Sequence, residues 1–458
     1  MDAIYPIINH VRSFDSGSLS ATTISITNRF IFDTIAVMIA GSRAEGCAAV
    51  QKYVGNWNGK PDAIVVGGRR VPAPYAAMVN SMMAHAVEFD DTYEPADVHA
   101  YAIVLPAVLA AAEIDSAKPI AGRDIIAATA IGVDLSYRLG SAIKVYRGWQ
   151  PTSTCGNLAG TLAAGRIAEC SAEELHNAAG IAYGLVAGNF QAVVDASLTK
   201  RLQPGFAARA AVEAVLLARA GITGARDILE GTFGFFPLYE AGEYDPVVLT
   251  DELGTRFLGD SGSMKPYPCC RFCHAAIDAA LLIVGECGVL AKPEDVQEAE
   301  VTLPAETYDY VGLPYAEESP NPRVAAQFSV PYTVASGLLR GKVGLTEFSL
   351  SSVGEERVCK LARRIAVRPV EAARYGPVTL RVKLQSGRTL ERTVKVMKGE
   401  PGNPLSDNEL YEKARGCIGY GEFPERTVDD LMKWTEQLER SPDPLPELHS
   451  ILQARGDS

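Results

Sequence analysis

The spacing of apolar residues changes character near residue 265. Before it, the repeat is helical: Ile24, Ile31, Ile35 and Ile39 line one face of a segment from Ala21 that should end at Gly41. A turn-rich passage around residues 55–74 holds one short strand-like run, and helix resumes at Tyr75. From Leu105 to about Gly221 the chain is dominated by Ala, Gly, Ile and Leu. Helices made of such small residues approach one another closely, which predicts a compact helical core. Ser171 and Glu174 have capping-box spacing and mark a further helix start.

After Lys265, residues 296–305, 363–370 and 377–399 alternate apolar and polar positions, and Ser386-Gly387 separates two strand-like runs as a hairpin turn. Residues 326–341 read as one helix inside this part, and residues 407–417 and 427–440 return to helix. The expected fold is mainly α. Residues 1–265 form the first part of a large all-helical domain, residues 266–405 a smaller inserted α+β lid, and residues 406–458 helices returning to the helical domain.

Charge narrows the partners. Acidic residues outnumber basic ones, 55 to 43, giving a formal charge of −12 with no block of lysine or arginine, so a nucleic-acid surface is disfavoured. An anionic ligand would then need locally placed cations, which makes single lysines informative. Nine cysteines, an odd number spread along the chain, fit free thiols in a reducing compartment. The first residues lack the order of a signal peptide. The apolar runs, one carrying Asp33 and another interrupted by Pro106, fall short of the ~20 residues of a membrane span. A cytoplasmic protein without a membrane partner is expected. No glycine loop has phosphate-binding spacing, so no nucleotide cofactor is expected either.

The densest candidate chemistry runs from His85 to Pro106, with Glu88, Asp90, Asp91, Thr92, Glu94 and Asp97 ahead of His99. An acidic loop can be mere solvation. A carboxylate pair beside one histidine, however, suits acid–base work, because Asp90 or Asp91 can hold one ring nitrogen and set which one faces a substrate. Lys200 and Lys265 sit in turn-like segments near prolines and could bind substrate carboxylates and stabilise the dianion left by proton removal. Arg271 offers a planar fork for a carboxylate. Tyr332 reads as a core residue unless context gives it a role as acid. Cys270, Cys273 and His274 match C-x-x-C-H, which leaves haem or metal binding as a remote alternative; a second ligand pair for a closed zinc site is missing.

Taken together, the motifs resemble the MmgE/PrpD family. HAVEFDDT with His99 is similar to the family's H-A-x-D-F-D-D-T block, RGWQPTSTCG to G-F-H-P-T-x-T-C-G, and SLTKRLQPG to its T-K-x-x-H-x-G segment. GTFGF, KPYPCCRFCHAAIDA and AQFSVPYTVA follow in the family's order. The resemblance implies a homodimer with a cleft between a helical domain and an α+β lid. It also implies cofactor-free proton chemistry next to a carboxylate of a small di- or tricarboxylate. Asp91, Thr92, His99, Lys200, Lys265, His274 and Tyr332 match functional or cleft-lining positions. The catalytic expectation falls on His99, Asp91, Lys200, Lys265 and Tyr332, and substrate binding on Glu88, Thr92, Gln150, Gln203, Arg271 and His274, with no metal. Glu88 stands where the family's dehydratases and decarboxylase have Asp, and Gln150 and Gln203 where they have His. Glutamine hydrogen-bonds but exchanges no proton near neutral pH. The leading expectation is a lyase of the dehydratase or decarboxylase type. The runner-up is an epimerase or isomerase of a dicarboxylate such as iminodisuccinate.

Overall fold

The computed structural model describes residues 1–57, 59–115 and 118–453. Its internal contacts divide the chain into two compact units. One comprises residues 1–86, 90–262 and 410 onward; the other comprises residues 87–89 and 263–409.

The first unit is helical. Helix Ala73–His85 packs on Thr199–Arg219, on Ala21–Gly41 and on Tyr101–Ala112, and Pro151–Ile167 packs on Tyr101–Ala112, Gly122–Ala142 and Thr199–Arg219. Small residues set these distances. A Cβ on Gly41 would lie 1.9 Å from the carbonyl oxygen of Met83, so only glycine lets the end of Ala21–Gly41 close on the last turn of Ala73–His85. Ser20 caps Ala21–Gly41, and the predicted box at Ser171 and Glu174 is made by both side chains.

Two readings of this unit change. Pro106 does not break its segment: it lies inside Tyr101–Ala112, a helix buried along its whole length, where packing outweighs the lost backbone hydrogen bond. The apolar run through Asp33 lies in the helix its spacing predicts, Ala21–Gly41, which is long enough for a membrane span although the run alone falls short. At 21 residues, Ala21–Gly41 is the one described helix long and apolar enough to cross a membrane. It is the core helix of this unit instead, with 78% of its apolar window buried.

Asp33 is itself buried and paired with Lys413, at 2.7 Å and 2.8 Å from its two carboxylate oxygens. Burial pushes the Asp33 carboxyl up, while Lys413 opposes that shift and the charge of Asp90 adds to it.

The second unit is α+β. Its sheet runs in the order Ile365–Val370, Val296–Pro304, Val378–Leu384, Thr389–Val394, the first pair parallel and the others antiparallel. The predicted hairpin is present, with Gly387 at φ 85°. Helices His274–Cys287 and Val330–Arg340 contact the sheet and each other, burying Ile277, Ile283, Val334 and Leu338 with Val301 and Leu380. The single helix expected over residues 326–341 is two, Pro322–Gln327 and Val330–Arg340. Ser329 leaves helical geometry to cap the second through the backbone N–H of Tyr332.

Lys413→Met would leave Asp33 buried without its counter-charge. The expected outcome is a loss of about 3–5 kcal/mol of stability, measured by urea unfolding at pH 7. A loss below about 1 kcal/mol would mean that Asp33 folds neutral.

Candidate active site

In the helical unit, the backbone from Asp90 to Tyr101 places a histidine against two carboxyl groups, each used differently. His99 Nδ1 lies 2.5 Å from the backbone carbonyl oxygen of Asp91. A carbonyl only accepts, so Nδ1 carries the proton and Nε2 is the nitrogen that takes or gives one. The backbone N–H of His99 donates to Thr152 Oγ1 at 3.1 Å, which fixes the residue at its other end. Asp90 Oδ2 lies 3.6 Å from His99 Nδ1.

The Asp91 carboxylate is engaged by two other donors. Its Oδ1 accepts from the backbone N–H of Tyr101 at 3.1 Å and its Oδ2 from the hydroxyl of Tyr137 at 3.2 Å. Oδ1 thus anchors the first turn of Tyr101–Ala112, where an anion is favoured by the unpaired N–H groups. Thr92 beside it is buried. Asp90 turns to a residue that sequence reasoning passed over: His85 Nδ1 is 2.6 Å from Asp90 Oδ2, and both side chains are 0% exposed. His85 ends an apolar helix, and its five-residue spacing from Asp90 was the only signal for it.

The two glutamines are brought together by one loop. Gln203 Oε1 accepts from the backbone N–H of Asn189 at 2.5 Å, and its Nε2 donates to the Asn189 carbonyl at 3.0 Å. Gln150 donates its backbone N–H to Gly188 O at 3.2 Å, while its Oε1 accepts from Ser153 Oγ at 2.5 Å. Gly188 has φ 130°, and a Cβ there would sit 2.8 Å from the Cβ of Ser153. The Gln203 amide is therefore a clamp on residues 188–189. Lys200 is half-buried in the first turn of Thr199–Arg219, three residues before Gln203. A cation at a helix N-terminus opposes the helix dipole, a local conflict expected where a charge serves function.

In the α+β unit, Lys265 is 1% exposed and its Nζ lies 3.9 Å from Glu88 Oε2. Glu88 has φ 56°, a left-handed conformation that costs a residue with a Cβ about 1–3 kcal/mol and concentrates at functional sites. The segments bearing these two residues are tied by Gln327, whose Nε2 donates to Val87 O at 3.2 Å and to Pro268 O at 3.0 Å. Sequence reasoning missed Gln327, which lay within a segment read as plain helix.

Arg271 Nη1 donates to Lys398 O at 3.0 Å and to His274 Nδ1 at 3.1 Å, and the Nε2 of His274 lies 3.3 Å from Cys269 O. His274 is thus a neutral ring with both nitrogens engaged, orienting the Arg271 fork. Burial pushes the Cys270 thiol up to about 12 and Cys273 well above its ordinary value. Among the described residues no three His, Cys, Asp or Glu side chains are grouped to hold a metal ion.

Tyr332 is fully buried. Its hydroxyl donates to the carbonyl of Glu347 and accepts from Arg340 Nη1 at 3.2 Å, and burial pushes it up to about 12. These contacts hold the Tyr332 hydroxyl inside the α+β unit.

Against known proteins, residues 7–246 match the MmgE/PrpD N-terminal domain and residues 267–434 the MmgE/PrpD C-terminal domain. The chain belongs to the MmgE/PrpD family. It is 28% identical over 399 residues to cis-aconitate decarboxylase of Aspergillus terreus, covering 82% of this chain and 81% of the relative. It is 27% identical over 440 residues to the human cis-aconitate decarboxylase, covering 92% and 89%. A cis-aconitate decarboxylase-like protein of Aspergillus oryzae, oryM, is 26% identical over 432 residues, covering 89% of each chain.

Asp91→Asn keeps the carbonyl that holds His99 and weakens the carboxylate's contacts with Tyr101 and Tyr137. Stability should fall by about 1–2 kcal/mol, read from urea midpoints, with the ring tautomer of His99 unchanged by nitrogen NMR. A switch of tautomer would show that the carboxylate, not the carbonyl, sets the ring.

Proposed function

We propose that this chain is a lyase that decarboxylates a small unsaturated di- or tricarboxylate without a cofactor. The observation that carries the reading is the His99 ring, held through Nδ1 so that Nε2 serves as the exchanging nitrogen. In the proposed step the bond between a carboxyl carbon and its neighbour breaks and carbon dioxide leaves. The electron pair passes into the adjoining unsaturated system, and the imidazolium of His99 returns a proton to carbon from Nε2. Lys200 binds a substrate carboxylate and stabilises the charge that develops. The decarboxylase names of the relatives support this choice over dehydration. Gln150 and Gln203 stand where the family's dehydratases and decarboxylase both have His, so they do not separate these two reactions.

The same glutamines favour a second reading, an epimerase or isomerase of a dicarboxylate. Such a reaction moves a proton on and off one carbon and has no leaving group.

Proton NMR in deuterated buffer with a panel of small polycarboxylates and amino-dicarboxylates separates the readings. The expected outcome is loss of one carboxyl group with one deuterium entering the product. Deuterium exchange without loss of carbon would establish the second reading, and loss of water would contradict both. No change with any substrate would remove the enzymatic reading. His99→Gln and Lys200→Gln should each lower kcat/KM at least ~10²-fold, and near-normal rates would exclude them from the reaction.

A further inference from the structure

The reaction proposed above gives no task to Glu240, a carboxyl that the helical unit buries almost completely. It directly follows helix Phe235–Tyr239 and is 2% exposed. Its Oε2 has no hydrogen-bond partner among the described residues, and none of their cations lies within ion-pair distance of it. Arg147, whose charge acts on Glu240, is paired elsewhere, with Nη2 3.1 Å from Glu243 Oε1. The Cys155 thiol on helix Pro151–Ile167 also interacts with the Glu240 charge, but burial pushes it up to about 12, so it offers no compensation. Tyr239 and Tyr183, on the adjoining helices, have hydroxyls that burial likewise pushes up. A carboxyl in these surroundings is more stable neutral than ionised. Burial accordingly pushes Glu240 up to about 7, against the pull of Arg147.

The segment that Glu240 ends is tied to the loop that Gln203 clamps. The Tyr239 hydroxyl donates to Val186 O at 2.8 Å. Trp149 Nε1 donates to Tyr239 O at 3.1 Å, with the two rings 4.8 Å apart. Trp149 in turn pairs with Asn189 as an antiparallel bridge, and the backbone N–H of Phe190 donates to Gly148 O at 2.9 Å. Residues 147–150, 186–190 and 235–240 are therefore one hydrogen-bonded cluster, which Gln203 closes at Asn189 through both ends of its amide.

We propose that Glu240 is a positioning residue of the candidate site: as a neutral carboxyl it lets residues 235–240 hold the 186–190 loop against Gln203, and its ionisation releases that loop. The proposal rests on the Gln203 clamp belonging to the site of the proposed reaction. Opening moves Glu240 from a buried position, where it keeps its proton up to about pH 7, into water, where it loses it near the ordinary value of 4.5. Between those limits the open state binds fewer protons, so each pH unit favours opening about tenfold. Above about pH 7 both states are ionised, and opening no longer depends on pH.

Hydrogen–deuterium exchange of the full-length protein, read by mass spectrometry between about pH 5 and about pH 8.5 and corrected for the intrinsic rate, tests this without any substrate. A negative result would thus be separate from failure of the proposed reaction. In peptides covering residues 186–190, protection should fall about tenfold per unit from about pH 5 to about pH 7 and stay level above that. In Glu240→Gln, which keeps the shape of the side chain without an ionisable proton, protection should be independent of pH across the range. Glu240→Met carries the same expectation should the glutamine variant not fold. An undiminished pH slope in these variants, or a flat profile in the unsubstituted protein, would overturn the proposal.

Discussion

The hydrogen bond from His99 Nδ1 to the carbonyl of Asp91 is the constraint from which the rest of the site follows. A backbone carbonyl has no second protonation state, so it fixes the ring tautomer more firmly than a carboxylate, which can itself take a proton. With Nδ1 committed, Nε2 is the ring nitrogen that can take up or give a proton. Asp90, 3.6 Å away, supplies charge without having to supply the orienting bond.

Much of the helical unit's local architecture serves to keep that carbonyl in place. The Asp91 carboxylate is pinned between the start of Tyr101–Ala112 and the hydroxyl of Tyr137, so the peptide it belongs to cannot swing. His99 is held through its own backbone N–H by Thr152. His85, which holds Asp90, ends a helix that closes against Gly41 at Met83, two residues earlier. The buried Asp33–Lys413 pair joins Ala21–Gly41 to the returning C-terminal segment. In the α+β unit the corresponding work falls to Gln327, which ties the segment of the strained Glu88 to the loop that follows Lys265.

The chemistry was legible in the sequence where it depended on residue type and density, and illegible where it depended on which atom points where. His99 stood out because acids cluster before it, yet nothing in the string separates the carbonyl of Asp91 from its carboxylate. His85 was hidden at the end of an apolar helix, where a histidine reads as packing. Gln150 and Gln203 were conspicuous as departures, but the loop at Gly188 and Asn189 that gives Gln203 its clamping role is remote in sequence. Tyr332 followed motif order and proved to be tied into its own unit's interior. The sheet, its hairpin and the capping box were readable from alternation and turn chemistry. The break at Ser329 and the helical Pro106 were not, because a side-chain cap and tertiary burial overruled local preference.

The central claim is the tautomer of His99, and nitrogen-15 NMR of the imidazole rings tests it most directly. Above the titration range of the ring, the account predicts a protonated, pyrrole-type Nδ1 and an unprotonated, pyridine-type Nε2 for His99. The opposite assignment, with the proton on Nε2, would contradict the Asp91 carbonyl as its anchor and with it the proposed role of Nε2.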